Sequence, residues 1–223
     1  MFLDELDACT VRQRRSTRPA SGGMLRVEGA SLSGVSIAEP TQRRRFTAVE
    51  VLRMVEEGIL GDDEPVELLD GELVVTPPQG PAHAAVVSDL DGRLREVYRE
   101  RFHVRAQCPL GGVDDSLPEP DLAVVRGKPR DYIAVHPSGT DVVLVVEVAR
   151  TSQALDRRKA RSYARIGVPM YWLLDLGARR LEVRSEPDAD EFRSTRILRD
   201  DESITLPETD ATWSVGTLLL VGP

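Results

Sequence analysis

Aromatic residues make up only 4% of the 223-residue chain, histidines number three and cysteines two. So little aromatic surface leaves no stacking platform of the kind that grips unstacked bases. Three histidines argue against a zinc site built on imidazoles. Cys9 and Cys108 form neither a metal-ligand nor a disulfide pattern, which makes a reducing cytoplasm the default location. No apolar run approaches the ~18–20 residues of a membrane span, and the arginine-bearing N-terminus lacks an apolar segment that would act as a signal peptide. Basic charge is also in short supply. A formal net charge of −8 disfavours nonspecific coating of nucleic acid, while leaving room for a local basic cleft.

What remains is the composition of a globular protein, with 41% hydrophobic and 30% charged residues and enough length for one substantial domain. Residues 1–44 carry Ser, Gly, Arg and Thr with little periodicity and read as a disordered tail, within which Met24 is an alternative start. Residues 45–223 read as a single domain. Its centre is Asp141–Val148, where six aliphatic residues, five of them β-branched, predict a strand covered on both faces. Glu147 lies inside that run. Ionised and unpaired it would cost several kcal/mol, so it needs a proton, a basic partner or a metal. A structural salt bridge meets that need as readily as a functional site.

Around this strand the pattern is regular. Thr47 with Glu50 forms a capping box that opens a helix ended by Gly58. Asp70-Gly71 is a two-residue turn between Val66–Leu69 and Glu72–Val75, which places Glu67, Leu69, Glu72 and Val74 on one face of a hairpin. Carboxylates on such a half-apolar face are commonly just solvated. A proline-rich loop, 76–81, leads to a helix over 83–101 with an inward stripe at Val86, Leu90, Leu94 and Val97. Strands are expected at 104–109, 121–125 and 170–175, and a helix runs from a cap at Thr151 or Ser152 to Ile166. Arg180–Arg184 and Phe192–Leu198 read as an antiparallel extension, and Trp213–Leu220 as a closing segment over an edge. Strands bracketed by helices imply a mixed central β-sheet flanked by helices, an α/β (α+β) fold.

Asp121 and Glu147 fall at opposite sequence ends of two of these strands, so antiparallel pairing would bring them together. Two converging carboxylates repel unless a cation lies between them, and Mg²⁺ or Mn²⁺ suits an all-oxygen site that the Val148 carbonyl can complete. Lys159 shares the inward side of its helix with Leu155, Ser162, Tyr163 and Ile166. A lysine there either snorkels outward or pairs with the end of the Glu147 strand. Metal, acids and ammonium together form an apparatus for phosphodiester hydrolysis. Arginines of the 83–101 helix, with Arg126, Lys128 and Arg130, are candidates for contacts to a nucleic-acid backbone, although surface arginines are mostly solvated.

Glu67–Val74, His83, Pro120–Val125, Glu147-Val148, Asp156–Lys159, Tyr163, Gly167–Pro169 and Tyr171-Trp172, in this order, resemble the Uma family of putative restriction endonucleases within the PD-(D/E)XK nuclease superfamily. The resemblance runs from about Arg45 to Leu220. It implies a restriction-endonuclease-like core acting on DNA with Mg²⁺ or Mn²⁺, Asp121 and Glu147 as metal ligands, and Glu67 and His83 as positions near the site. A histidine there also serves simply as a cap or packing residue. The superfamily lysine two residues after the glutamate is replaced by Ala149, and relatives that carry it on the next helix match Lys159. A homodimer is compatible with cutting two strands, and the sequence does not demonstrate one. From a different class comes the alternative of a catalytically inactive nuclease-fold protein that binds nucleic acid or a protein partner.

Overall fold

The structure is a computed structural model that describes residues 43–61, 63–149 and 153–219. Most of the expected tail, and the expected helix caps at Thr151 and Ser152, lie outside the described residues. Helix α1 (Ala48–Glu56) begins as the capping box predicts: the Glu50 N–H donates to the Thr47 hydroxyl, and the Thr47 N–H to the Glu50 carboxylate at 2.9 Å. The hairpin β1 (Val66–Leu69) and β2 (Glu72–Val75) pairs in the predicted register, Glu67 opposite Val74 and Leu69 opposite Glu72. Asp70 and Gly71 both take positive φ in the turn, 50° and 76°, which asparagine, aspartate and glycine adopt at least cost.

Six strands form the main sheet, in the order β3 (Phe102–Ala106), β4 (Leu122–Arg126), β5 (Val142–Ala149), β6 (Met170–Asp175), β7 (Arg180–Asp188) and β8 (Glu191–Leu198). All neighbours are antiparallel except β5 and β6, which run parallel because helix α3 (Gln153–Ile166) carries the chain across between them. Every residue of β5 is buried, as its largely apolar sequence requires. Side chains along it alternate between two layers. Leu144, Val146 and Val148 join helix α2 (Pro81–Val97) in one core, whereas Val145 and Ala149 join α3 in the other. Glu147 therefore faces α3.

Several boundaries differ from expectation for local reasons. Helix α2 starts at Pro81 rather than His83, since a proline lacking its N–H suits the first helical position. It ends at Val97 instead of running to 101, with Glu100 turned to φ 64°, which lets β3 begin at Phe102. Asp121 stands just before β4 rather than as its first residue, outside the ladder. The C-terminal segment contains two short strands, β9 (Ser203–Thr205) and β10 (Thr212–Ser214), then α4 (Val215–Leu218). Rather than covering a sheet edge, Val215, Leu218 and Leu219 enter the core beneath α2. Arg93 of α2 ties the segment down, donating to the Thr217 carbonyl at 3.1 Å and covering the Trp213 ring.

Among the described residues no helix is long and apolar enough to cross a membrane. Cys108 is buried, and Cys9 lies outside the described residues.

Candidate active site

Antiparallel pairing of β4 with β5 ends at Leu122 opposite Val146. One step beyond, Asp121 meets the stretch Glu147-Val148, and its Oδ2 accepts the Val148 N–H at 2.8 Å. His83, in the first turn of α2, approaches the same oxygen with Nε2 at 3.0 Å. A carboxylate only accepts, so Nε2 carries the proton. Nδ1 is buried without a hydrogen bond.

From the opposite face α3 contributes Lys159 and Tyr163, one turn apart and both buried. Lys159 Nζ lies 2.7 Å from Glu147 Oε1 and 3.2 Å from Glu67 Oε1, and donates to the Glu119 carbonyl at 2.9 Å. The Tyr163 hydroxyl donates to the same Glu147 Oε1 at 2.5 Å. Glu67 reaches in from the hairpin and is only 7% exposed, so its carboxylate is not solvated as a hairpin surface would allow. It also accepts the Glu119 N–H at 3.0 Å. The hairpin is held over α3 by Arg158, which donates to the Leu69 carbonyl at 2.8 Å, and by Arg165, which pairs with Asp70 at 3.2 Å and Asp115 at 3.0 Å.

Burial raises the pKa of Glu147; Lys159 opposes this, but the Asp121 and Glu67 carboxylates add to it, leaving Glu147 well above the usual carboxylate range, at about 8. Burial acts in the same direction on Asp121, yet the His83 hydrogen bond and charge, Lys159 and the Val148 N–H outweigh it and hold Asp121 low. For Lys159 burial disfavours the charge, and the three surrounding carboxylates more than restore it, so the amine stays an ammonium. Burial and the Glu147 charge keep the Tyr163 phenol protonated.

All six residues singled out from the sequence, Glu67, His83, Asp121, Glu147, Val148 and Lys159, line one cavity of about 510 Å³. Two boundaries of the sequence reading show here. Tyr163 carries only its place on the inward side of α3 and in the resemblance, with no role attached, and the Glu119 backbone carries no signal. The basic residues expected to meet a nucleic acid are elsewhere. Arg126 ends β4 five residues from Asp121, about 17 Å along a strand, and pairs with Glu208. Lys128 and Arg130 follow it at that far end. The cavity itself is acidic: Asp63, Glu64, Glu67, Glu119, Asp121, Glu147 and Asp156 line it, and Lys159 is the only lysine or arginine among the described residues that does.

Among the described residues, each of the two central acids keeps one oxygen, Asp121 Oδ1 and Glu147 Oε2, without a hydrogen bond. Val148 turns its N–H toward Asp121, and a strand residue sends its carbonyl out on the same side. Asp121, Glu147 and Val148 all line the same cavity. Among the described residues no three His, Cys, Asp or Glu side chains are grouped to hold a metal, so a metal here would rest on two carboxylates and the carbonyl.

Comparison with solved structures finds this architecture in other proteins. A putative nuclease belonging to DUF820 from Anabaena variabilis superposes with a TM-score of 0.61 at 19% identity, covering 74% of this chain and 96% of its own. The type IIG restriction endonuclease BpuSI matches 62% of this chain at 16% identity and a TM-score of 0.32, but this chain spans only 14% of its length. No curated protein matches. Residues 49–218 match the family model Uma2, described as "Putative restriction endonuclease". With the match covering most of the chain, this protein belongs to the Uma2 family.

Proposed function

We propose that the chain is a metal-dependent endonuclease that hydrolyses phosphodiester bonds in DNA. One observation carries the reading: two acids from antiparallel strands and one ammonium from the crossover helix meet in a single cavity, each acid with an oxygen to spare. The donors fit a hard divalent cation such as Mg²⁺ or Mn²⁺, because all are oxygens and two carry charge. Asp121, Glu147 and the Val148 carbonyl would hold it. When bound, such an ion supplies Lewis-acid polarisation of a phosphoryl oxygen and offsets the charge of the acids.

The rest is done by the chain. His83 and the Val148 N–H hold one oxygen of Asp121 so that the other faces the cavity. Lys159 keeps a fixed positive charge where negative charge develops on the phosphate. An ammonium has three donors, and Glu147, Glu67 and Glu119 accept all of them. Letting go of Glu67, the longest of the three contacts, frees one N–H to orient a water for attack. Glu67 then shares Lys159 with substrate and does not itself touch the phosphate.

The saturated ammonium and acidic lining favour a second reading, a nuclease-fold protein that binds nucleic acid or a protein partner without cutting it. Plasmid nicking with Mg²⁺ or Mn²⁺ separates the two. Cleavage by the wild type, lost in both Glu147→Ala and Lys159→Ala, is the expected result. Intact DNA under all conditions, with binding indifferent to the metal, sinks the nuclease proposal and leaves the binding module.

A further inference from the structure

Glu147 Oε1 receives two donors from the same helix, Lys159 Nζ at 2.7 Å and the Tyr163 hydroxyl at 2.5 Å. The second contact is more than packing requires. The Tyr163 ring is completely buried in the core between α3 and the sheet, 5.4 Å from the Tyr171 ring. A phenylalanine would fill that space equally well, and Glu147 is the one hydrogen-bond partner of the Tyr163 hydroxyl among the described residues. Tyr171 supplies the contrast. It is also fully buried, but its hydroxyl has no hydrogen bond.

We infer that Tyr163 is a positioning residue: its hydroxyl pins one oxygen of Glu147 to α3, so that the other oxygen is presented to the cavity in a single orientation. Lys159 alone does not achieve this. Its ammonium is a point charge shared with Glu67 and the Glu119 carbonyl, and a carboxylate can turn about it and offer either oxygen. Two donors fixed on one oxygen remove that freedom. Outer residues that orient a metal's ligands in this way typically change metal affinity 10–100-fold when lost.

The inference rests on the proposed metal-binding role of Glu147 and is tested separately from it. Mn²⁺ is titrated into the wild type, Tyr163→Phe and Tyr171→Phe, following free Mn²⁺ by electron paramagnetic resonance, with the metal-free melting temperature of each recorded alongside. Tyr163→Phe is expected to bind Mn²⁺ on the order of tenfold more weakly, while Tyr171→Phe matches the wild type. Where cleavage is measurable, kcat falls in Tyr163→Phe and KM for DNA does not change. Equal Mn²⁺ affinity in wild type and Tyr163→Phe overturns the inference, whether or not the melting temperature moves. Equal losses in both tyrosine variants also overturn it, because a general loosening of the core would then be the cause. A wild type that binds no Mn²⁺ defeats the metal-site reading itself, and this inference with it.

Discussion

Replacing Lys159 by methionine keeps most of the buried aliphatic volume and removes only the ammonium. Glu147 and Glu67, 6% and 7% exposed, would then sit beside Asp121 with no fixed cation. Breaking a buried ion pair from one side costs about 3–5 kcal/mol, or roughly 6–20 °C in melting temperature for a domain of this size. The cost must depend on pH. Glu147 has a folded pKa raised above its ordinary value even with Lys159 present. Without the lysine, which holds it down, that pKa climbs further. A carboxyl with a raised folded pKa stabilises fully below its unfolded pKa and loses that contribution as pH rises through the folded value. Lys159 itself remains charged across pH 5–9. The deficit of Lys159→Met should therefore be smaller near pH 5, where Glu147 is protonated in both proteins, and largest near pH 9. Thermal melts in EDTA over this range measure it. A deficit that is the same at pH 5 and pH 9 would assign the loss to packing and refute the counter-ion argument.

Glu147→Gln should flatten the metal-free stability profile, since the wild type loses this group's contribution between about pH 4.5 and 8 as the raised carboxyl ionises; urea melts across that window read the difference. Asp121, held low, acts in the opposite direction and below it. Gly139→Ala should destabilise by about 3 kcal/mol, because an added Cβ would stand 2.0 Å from the Ile166 carbonyl oxygen, and backbone at the end of α3 would have to move. Chemical denaturation tests this, and a neutral result would mean that the loop and helix yield freely. Arg165→Ala should speed amide exchange in the β1–β2 hairpin while leaving β5 protected, since Asp70 and Asp115 both lose their shared partner.

The parts of this fold governed by neighbours in sequence were legible. Turn chemistry at Asp70-Gly71, the Thr47 capping box and the mostly apolar run of β5 each act within a few residues, and the register and faces they imply are those observed. The inward side of α3 also followed from periodicity, with Lys159, Ser162, Tyr163 and Ile166 all buried. What escaped was set by distant contacts. That Glu67 is covered depends on the hairpin lying over α3, which Arg158 and Arg165 secure from 86 to 95 residues away. The wheel showed Tyr163 turning inward, but only the fold puts Glu147 in front of its hydroxyl. The three-residue strands β9 and β10 are too short for alternation to register.

An amine borne on a strand shares the stiffness of the hydrogen-bonded ladder, and position 149 of β5 would have provided that. Here the amine rides on α3, joined to the sheet by side-chain packing rather than by backbone bonds. Heat loosens side-chain packing before it dissolves a ladder. The contacts of Lys159 with Glu147 and Glu67 should accordingly loosen below the temperature at which the sheet melts.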